Sequence, residues 1–184
     1  MAGSRDYDSS KLEELIVYVA DCSYGDARFG KTKLNKILFF SDFEAYRQLG
    51  TSITGATYQH LPWGPAPHQM VPCLDALQRG NAVLLRGEGT FVGTQERVVA
   101  LRDAKLDDFS AEEIAIVNRV IDQLRDLTNQ EVSDLSHETV AWQVTADYQE
   151  IPYGAAVLSA EPPTEDDLMW LGEVANAYAT VGND

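Results

Sequence analysis

Residues 25 to 32 read GDARFGKT, a complete G-x-x-x-x-G-K-T pattern, and residues 31 to 49 continue as KTKLNKILFFSDFEAYRQL. Two folds compete for this stretch. As a phosphate-binding loop it needs a strand running into Gly25, a helix leaving Lys31, and a parallel sheet of repeated strand–helix units around it. Lys31 would then reach phosphate oxygens while Thr32 held a magnesium ion. The residues just before it argue otherwise. In SSKLEELIVYVADC, Leu12, Leu15, Ile16, Val19 and Cys22 recur at helical spacing, with Ser9 or Ser10 as N-cap and Glu13 as the box partner. The stretch is therefore read as the end of one helix near Gly25 and the capping of the next around Gly30 to Thr32. A nucleotide-binding enzyme built on GDARFGKT is the least favoured reading.

The second helix is the centre of the expected fold. Leu34, Ile37, Leu38, Ser41, Asp42 and Ala45 share a face, Phe39, Phe40, Phe43 and Tyr46 flank it, and Gly50 closes it. A helix apolar nearly all round belongs in the interior. After it, Tyr58 to Leu61 reads as a short strand, and Pro62, Pro65 and Pro67 stiffen the loop that follows. A third helix is predicted from about Ala66 to Arg79, kinked or restarted at Pro72. Two strands, about Ala82 to Arg86 and Arg97 to Leu101, are joined by a Gly-rich connection. Ser110 with Glu113 caps a fourth helix carrying Ile114, Val117, Ile121 and Leu124, and a shorter helix runs from about Asn129 to Glu138.

A last helix is expected from about Thr164 to Tyr178, after Pro162 and Pro163, with Leu168, Leu171, Val174, Ala175 and Tyr178 on one side. The fold class is α+β and mainly helical, with about six helices and a small antiparallel sheet. The element order of residues 10–101 also suits a winged-helix-like arrangement, with 87–96 as the wing. Residues 1–160 form the domain. Residues 161–184 form an acidic helical extension that packs on the domain or on a partner.

Charge narrows the function. The chain of 184 residues has a net charge of −15, and none of it lies in the first half: residues 1–102 carry 11 acidic and 11 basic side chains, residues 103–184 carry 18 and 3. Such a field repels phosphate backbones and favours a cationic protein partner. The third helix offers one arginine, and the wing sets Arg86 and Arg97 against Glu88 and Glu96. A DNA-binding regulator is thus the alternative reading, not the first. No run is long and apolar enough for a membrane span or a signal peptide, which points to a cytoplasmic protein. His60, His68 and His137 have no metal-ligand spacing. Cys22 and Cys73 read as reduced, buried thiols, and Cys73 with His137 as core rather than a catalytic pair. No cofactor is expected.

Three segments in order, KTKLNKILFFSDFEAY (31–46), ITGATYQHLPWGPAP (53–67) and LSHETVAW (135–142), resemble the Panacea domain, an antitoxin domain of prokaryotic and phage toxin–antitoxin systems. The resemblance spans about Lys11 to Tyr153. It implies a mainly helical, non-enzymatic protein that binds and neutralises a cognate toxin, usually encoded alongside. It also assigns residues. Trp63, Gly64 and Pro65 fall on an aromatic-Gly-Pro turn and, with Tyr58 and His60, are the candidates for toxin contact; the indole either anchors a partner or packs over the core. Lys33, Asn35, Asp42, His137 and Trp142 are the structural candidates. Of these, Lys33 and Asn35 are expected to bond the returning loop, and His137 a backbone carbonyl in the core.

Overall fold

The first helix is capped one residue earlier than its serines suggest. Asp8 is extended, and its carboxylate accepts the backbone N–H of Lys11 at 3.0 Å, so α1 (Ser9–Cys22) holds Ser9 and Ser10 inside its first turn. A bond of 2.9 Å from the Asp8 N–H to the Thr54 carbonyl fixes Asp8 in that conformation. Tertiary contact thus chose between equally competent capping residues. The next helix, α2 (Lys31–Leu49), starts at an extended Gly30 and ends at Gly50 in the left-handed region, φ 76°. A helix therefore stands where a phosphate-binding loop requires a strand, and Lys31 pairs with Glu96 at 3.2 Å.

The computed structural model describes residues 6–90, 93–158 and 169. Among them are six α-helices and two small antiparallel sheets, an α+β and mainly helical architecture. The hub is α2. It buries Leu34, Ile37, Leu38, Phe39, Phe43 and Ala45, and with them Lys33, Lys36, Ser41 and Asp42. It packs against α1, α4 (Ala111–Leu124) and α5 (Asn129–His137), and also against strand β2 (Ala66–Pro67) and a 3-10 turn (Tyr153–Val157). Two buried ion pairs brace this core. Lys11 Nζ reaches Glu113 at 2.8 Å, joining α1 to α4, and Lys33 Nζ reaches Asp26 at 2.6 Å. Glu113 also closes the Ser110 capping box expected from sequence, so one carboxylate caps α4 and pairs with α1.

The third helix, α3 (Met70–Arg79), begins later than Ala66 because Ala66 and Pro67 pair with Gln59 and Tyr58 of β1 (Tyr58–Gln59). Pro72 neither kinks nor restarts it: the residue sits in the first turn, where its missing N–H has no helical acceptor to lose. The strands β3 (Val83–Thr90) and β4 (Gly93–Ala100) run on through the supposed Gly-rich connection, since ladder hydrogen bonds need backbone and not side chains. They form their own sheet. The other sheet has the order β2-β1-β5, with β5 (Glu150–Ile151) arriving about ninety residues after β1. The winged-helix order of elements is present, but β1 does not pair with the hairpin.

Arg97 ties that hairpin to the turn between α1 and α2. Its buried guanidinium donates to the carbonyls of Ser23, Tyr24, Asp26 and Phe29, several of them left over where α1 ends. Arg97 was counted above among the cations of the wing, and it is not available there. Residues 139–158, for which the pattern predicts nothing, hold α6 (Val140–Gln143), β5 and the 3-10 turn, each too short to show a period. The helix expected at 164–178, and the extension 161–184, lie outside the described residues apart from Met169.

Candidate functional site

The connection between β1 and β2 is the loop His60 to Pro65. Within it the Gly64 N–H donates to the Leu61 carbonyl at 2.7 Å, a turn with proline second and glycine fourth, the residues such turns favour. Gly64 has φ 92°, which a side chain would resist. The chain then alternates sharply: Trp63 is 74% exposed, while Gly64 and Pro65 beneath it are buried. The indole does not pack over the core. It is presented outward.

Two pegs hold the loop. Ser133 Oγ of α5 donates to the Trp63 carbonyl at 3.1 Å, and Lys36 Nζ of α2 donates to the Pro65 carbonyl at 3.3 Å. The packing is tight: a Cβ added at Gly64 would stand 2.5 Å from both Lys36 Cε and Ser136 Oγ. A large aromatic side chain carried on a backbone already fixed in place loses little entropy when it binds. Tryptophan in that setting is among the residues that most often dominate an interface.

Beside the indole lies a cleft of about 370 Å³, lined among others by Lys31, Thr32, Asn35, Lys36 and Gln95. Burial pushes the Lys36 amine down to about 7, so near neutral pH it is only partly charged. Asn35 Oδ1 is buried and has no hydrogen-bond partner among the described residues. The expectation for this helix therefore needs correcting. Lys36, not Lys33 or Asn35, bonds the returning loop. The reason is helical phase, because Lys33 turns toward Asp26 while Thr32, Asn35 and Lys36 face the cleft.

The late motif meets the same loop. Trp142 is half-buried, and the imidazoles of His60 and His137 both stack on its indole, at ring distances of 3.3 Å and 4.4 Å. His60 bonds Thr145 Oγ1 through Nδ1 at 3.0 Å, and its Nε2 lies 3.5 Å from Asp147. His137 does not hold a carbonyl as expected: its Nε2 is buried without a partner among the described residues, and burial, with Lys36 nearby, holds its pKa below the ordinary value. Stacking had replaced hydrogen bonding as the way to fix the ring.

Tyr58 stands below this surface. It is fully buried, and its hydroxyl donates to Asp42 Oδ2 at 2.8 Å. The same carboxylate accepts the N–H groups of Ile53 and Thr54 at 2.8 Å each and the Thr54 hydroxyl at 2.5 Å. Asp42 thus fixes the segment that leads into β1, and Tyr58 belongs with it as a support. Of the five residues named for contact, Trp63 is the outward one; Gly64, Pro65 and His60 shape the loop that carries it. Lys36 and Ser136 lie within the α2 and late motifs quoted from the sequence, but the sequence reading gave neither of them, nor Ser133, a role in holding the loop. Membership of those motifs was the signal available for Lys36 and Ser136; Ser133 offered none.

Catalytic arrangements are poorly served. Burial pushes the Cys73 thiol up, the opposite of an activated nucleophile. No group of three or more His, Cys, Asp or Glu among the described residues could hold a metal ion, and no described helix is long and apolar enough to cross a membrane.

A family model described as "Antitoxin SocA-like, Panacea domain" matches residues 34–143, more than half of the chain and a span that contains all but the first three residues of the α2 motif, the Trp63 loop and Trp142. No curated protein and no solved structure matches the chain.

Proposed function

We propose, from the premise that this chain belongs to the SocA-like antitoxins of the Panacea domain family, that it neutralises a cognate toxin by binding it directly. The observation that carries the reading is Trp63, 74% exposed on a loop pegged by Lys36 and Ser133. The indole is the anchor, and the cleft beside it receives a polar group of the toxin through Lys31, Thr32 and Asn35. The acidic half of the chain, residues 103–184, speeds encounter with a basic toxin surface. Inhibition is stoichiometric occupation and involves no chemistry on the toxin. The pair acts in the cytoplasm, and the toxin is encoded next to this chain.

The test is growth of cells that express the adjacent reading frame with and without this protein, followed by co-purification. Rescue with a stable complex is the expected result; a toxic neighbour that is neither rescued nor bound would overturn the reading. Trp63→Ala then tests the site. A surface truncation of this kind leaves stability within about 0.5 kcal/mol, and loss of an interface anchor costs about 2 kcal/mol of affinity or more, roughly 30-fold. Unchanged affinity in the folded variant would move the interface elsewhere.

A further inference from the structure

Further along α2 from the Trp63 loop, toward its C-terminal half, runs an apolar groove of about 540 Å³, bounded by α2, α4, α5, α6 and the 3-10 turn. Phe40, Phe43, Val120, Leu124, Leu135 and Val140 form its walls. Arg47 and Arg119 stand at its rim, each about half exposed, beside Glu44. A groove of this size and lining on the surface of a single chain marks a place where an apolar helix face can be received.

The chain itself points to the occupant. Leu158 lines the groove and is exposed, and it is the last residue of the continuous described stretch, so the described chain ends at the groove's own edge. That segment reads SAEPPTEDDLMWLGEVANAYATVGND. It carries six acidic residues and no lysine or arginine, against a rim that presents two arginines. Its Leu168, Leu171, Val174, Ala175 and Tyr178 recur at the spacing that makes one apolar stripe on a helix. The tether is short, which raises the effective concentration of the segment at the groove far above that of any separate molecule.

We propose that this groove is the docking site of the chain's own residues 159–184, whose apolar stripe covers Phe40, Val120 and Leu124 while Glu165, Asp166 and Asp167 lie toward Arg47 and Arg119. The contact is intramolecular and stands independently of the antitoxin reading, because it uses neither Trp63 nor its cleft. It places the acidic end of the chain on the domain, where its charge still adds to the field that a partner meets.

The experiment uses the full chain with a photo-crosslinking benzoylphenylalanine at Gln123, an exposed residue of the groove wall, mixed with an isotopically heavy copy and read by mass spectrometry. The expected product joins position 123 to a peptide from 159–184 of the same copy. Crosslinks only between light and heavy copies would mean that a second chain fills the groove, and crosslinks to other peptides or none at all would equally overturn the proposal. As an orthogonal arm, Leu171→Asp in the full chain should raise binding of an apolar fluorescent dye several-fold while the far-ultraviolet spectrum stays folded. Dye binding equal to that of the parent chain would count against it.

Discussion

The Pro65 carbonyl accepts a hydrogen bond from Lys36 Nζ at 3.3 Å, and the same lysine's Cε lies 2.5 Å from the point where a Cβ on Gly64 would stand. One buried side chain of α2 therefore sets both the position of the loop and the identity of a residue in it.

Gly64→Ala should be destabilising for two reasons, a φ of 92° that disfavours a side chain and a collision with Lys36 and Ser136. Overpacking of this kind costs about 1–3 kcal/mol. Thermal unfolding should show a melting temperature lower by several degrees, with toxin affinity falling alongside it because Trp63 shifts. A melting temperature equal to that of the parent chain would refute the close approach.

Lys36 should make stability depend on pH in a predictable direction. Burial holds its amine at about 7 in the folded chain, against an ordinary value of 10.5 when unfolded. Between those values the unfolded chain carries a proton that the native chain lacks, so this group's contribution to stability improves as pH rises through that window. Below about pH 7 the penalty is fully present. Lys36→Met removes the titration, and its advantage over the parent in melting temperature should be larger at pH 6 than at pH 9. A difference that stays flat across that range would show that the amine is not desolvated.

Asp42→Ala strips the acceptor from the Tyr58 hydroxyl and from the N–H groups of Ile53 and Thr54, all buried. Each buried neutral donor left without its acceptor costs about 1–3 kcal/mol. Urea unfolding should show the midpoint falling accordingly, and Asp42→Asn, which keeps the shape and one carbonyl acceptor, should lose less. Equal losses for the two variants would indicate that volume, not hydrogen bonding, is what Asp42 supplies.

Lys31→Ala should change stability little. Its exposed pairing with Glu96 at 3.2 Å is worth under about 1 kcal/mol, and a helix occupies the place of the strand that nucleotide binding would need. Titration calorimetry with magnesium ATP or GTP should detect no binding to either protein. Binding by the parent that disappears in the variant would revive the enzymatic reading.

The helices were legible because their signals are local. The spacing of Leu12, Leu15, Ile16 and Val19, the Ser110–Glu113 box and Gly50 at the end of α2 each act within a turn or two of the residues that carry them. Where local signals were degenerate, the reading slipped. Asp8 and Ser9 cap equally well, and Ala66 joined β2 instead of α3 because Gln59 was there to pair with it. The segments β5 and α6 were invisible since elements of two to four residues have no period to detect.

The candidate site divides the same way. By itself the sequence determined the hub helix, the stiff W-G-P turn and, through three motifs in order, the family. Those follow from residue types and their spacing along the chain. Only the tertiary structure decided that Trp63 faces outward while Tyr58 supports from below, that Lys36 and not Lys33 holds the loop, that Arg97 is buried against α1, and that Trp142 stacks between motifs about eighty residues apart. Each of those is a question of which side chains lose their water to which neighbours. The answer depends on contacts between distant segments, and their distance along the chain leaves no periodic trace in it.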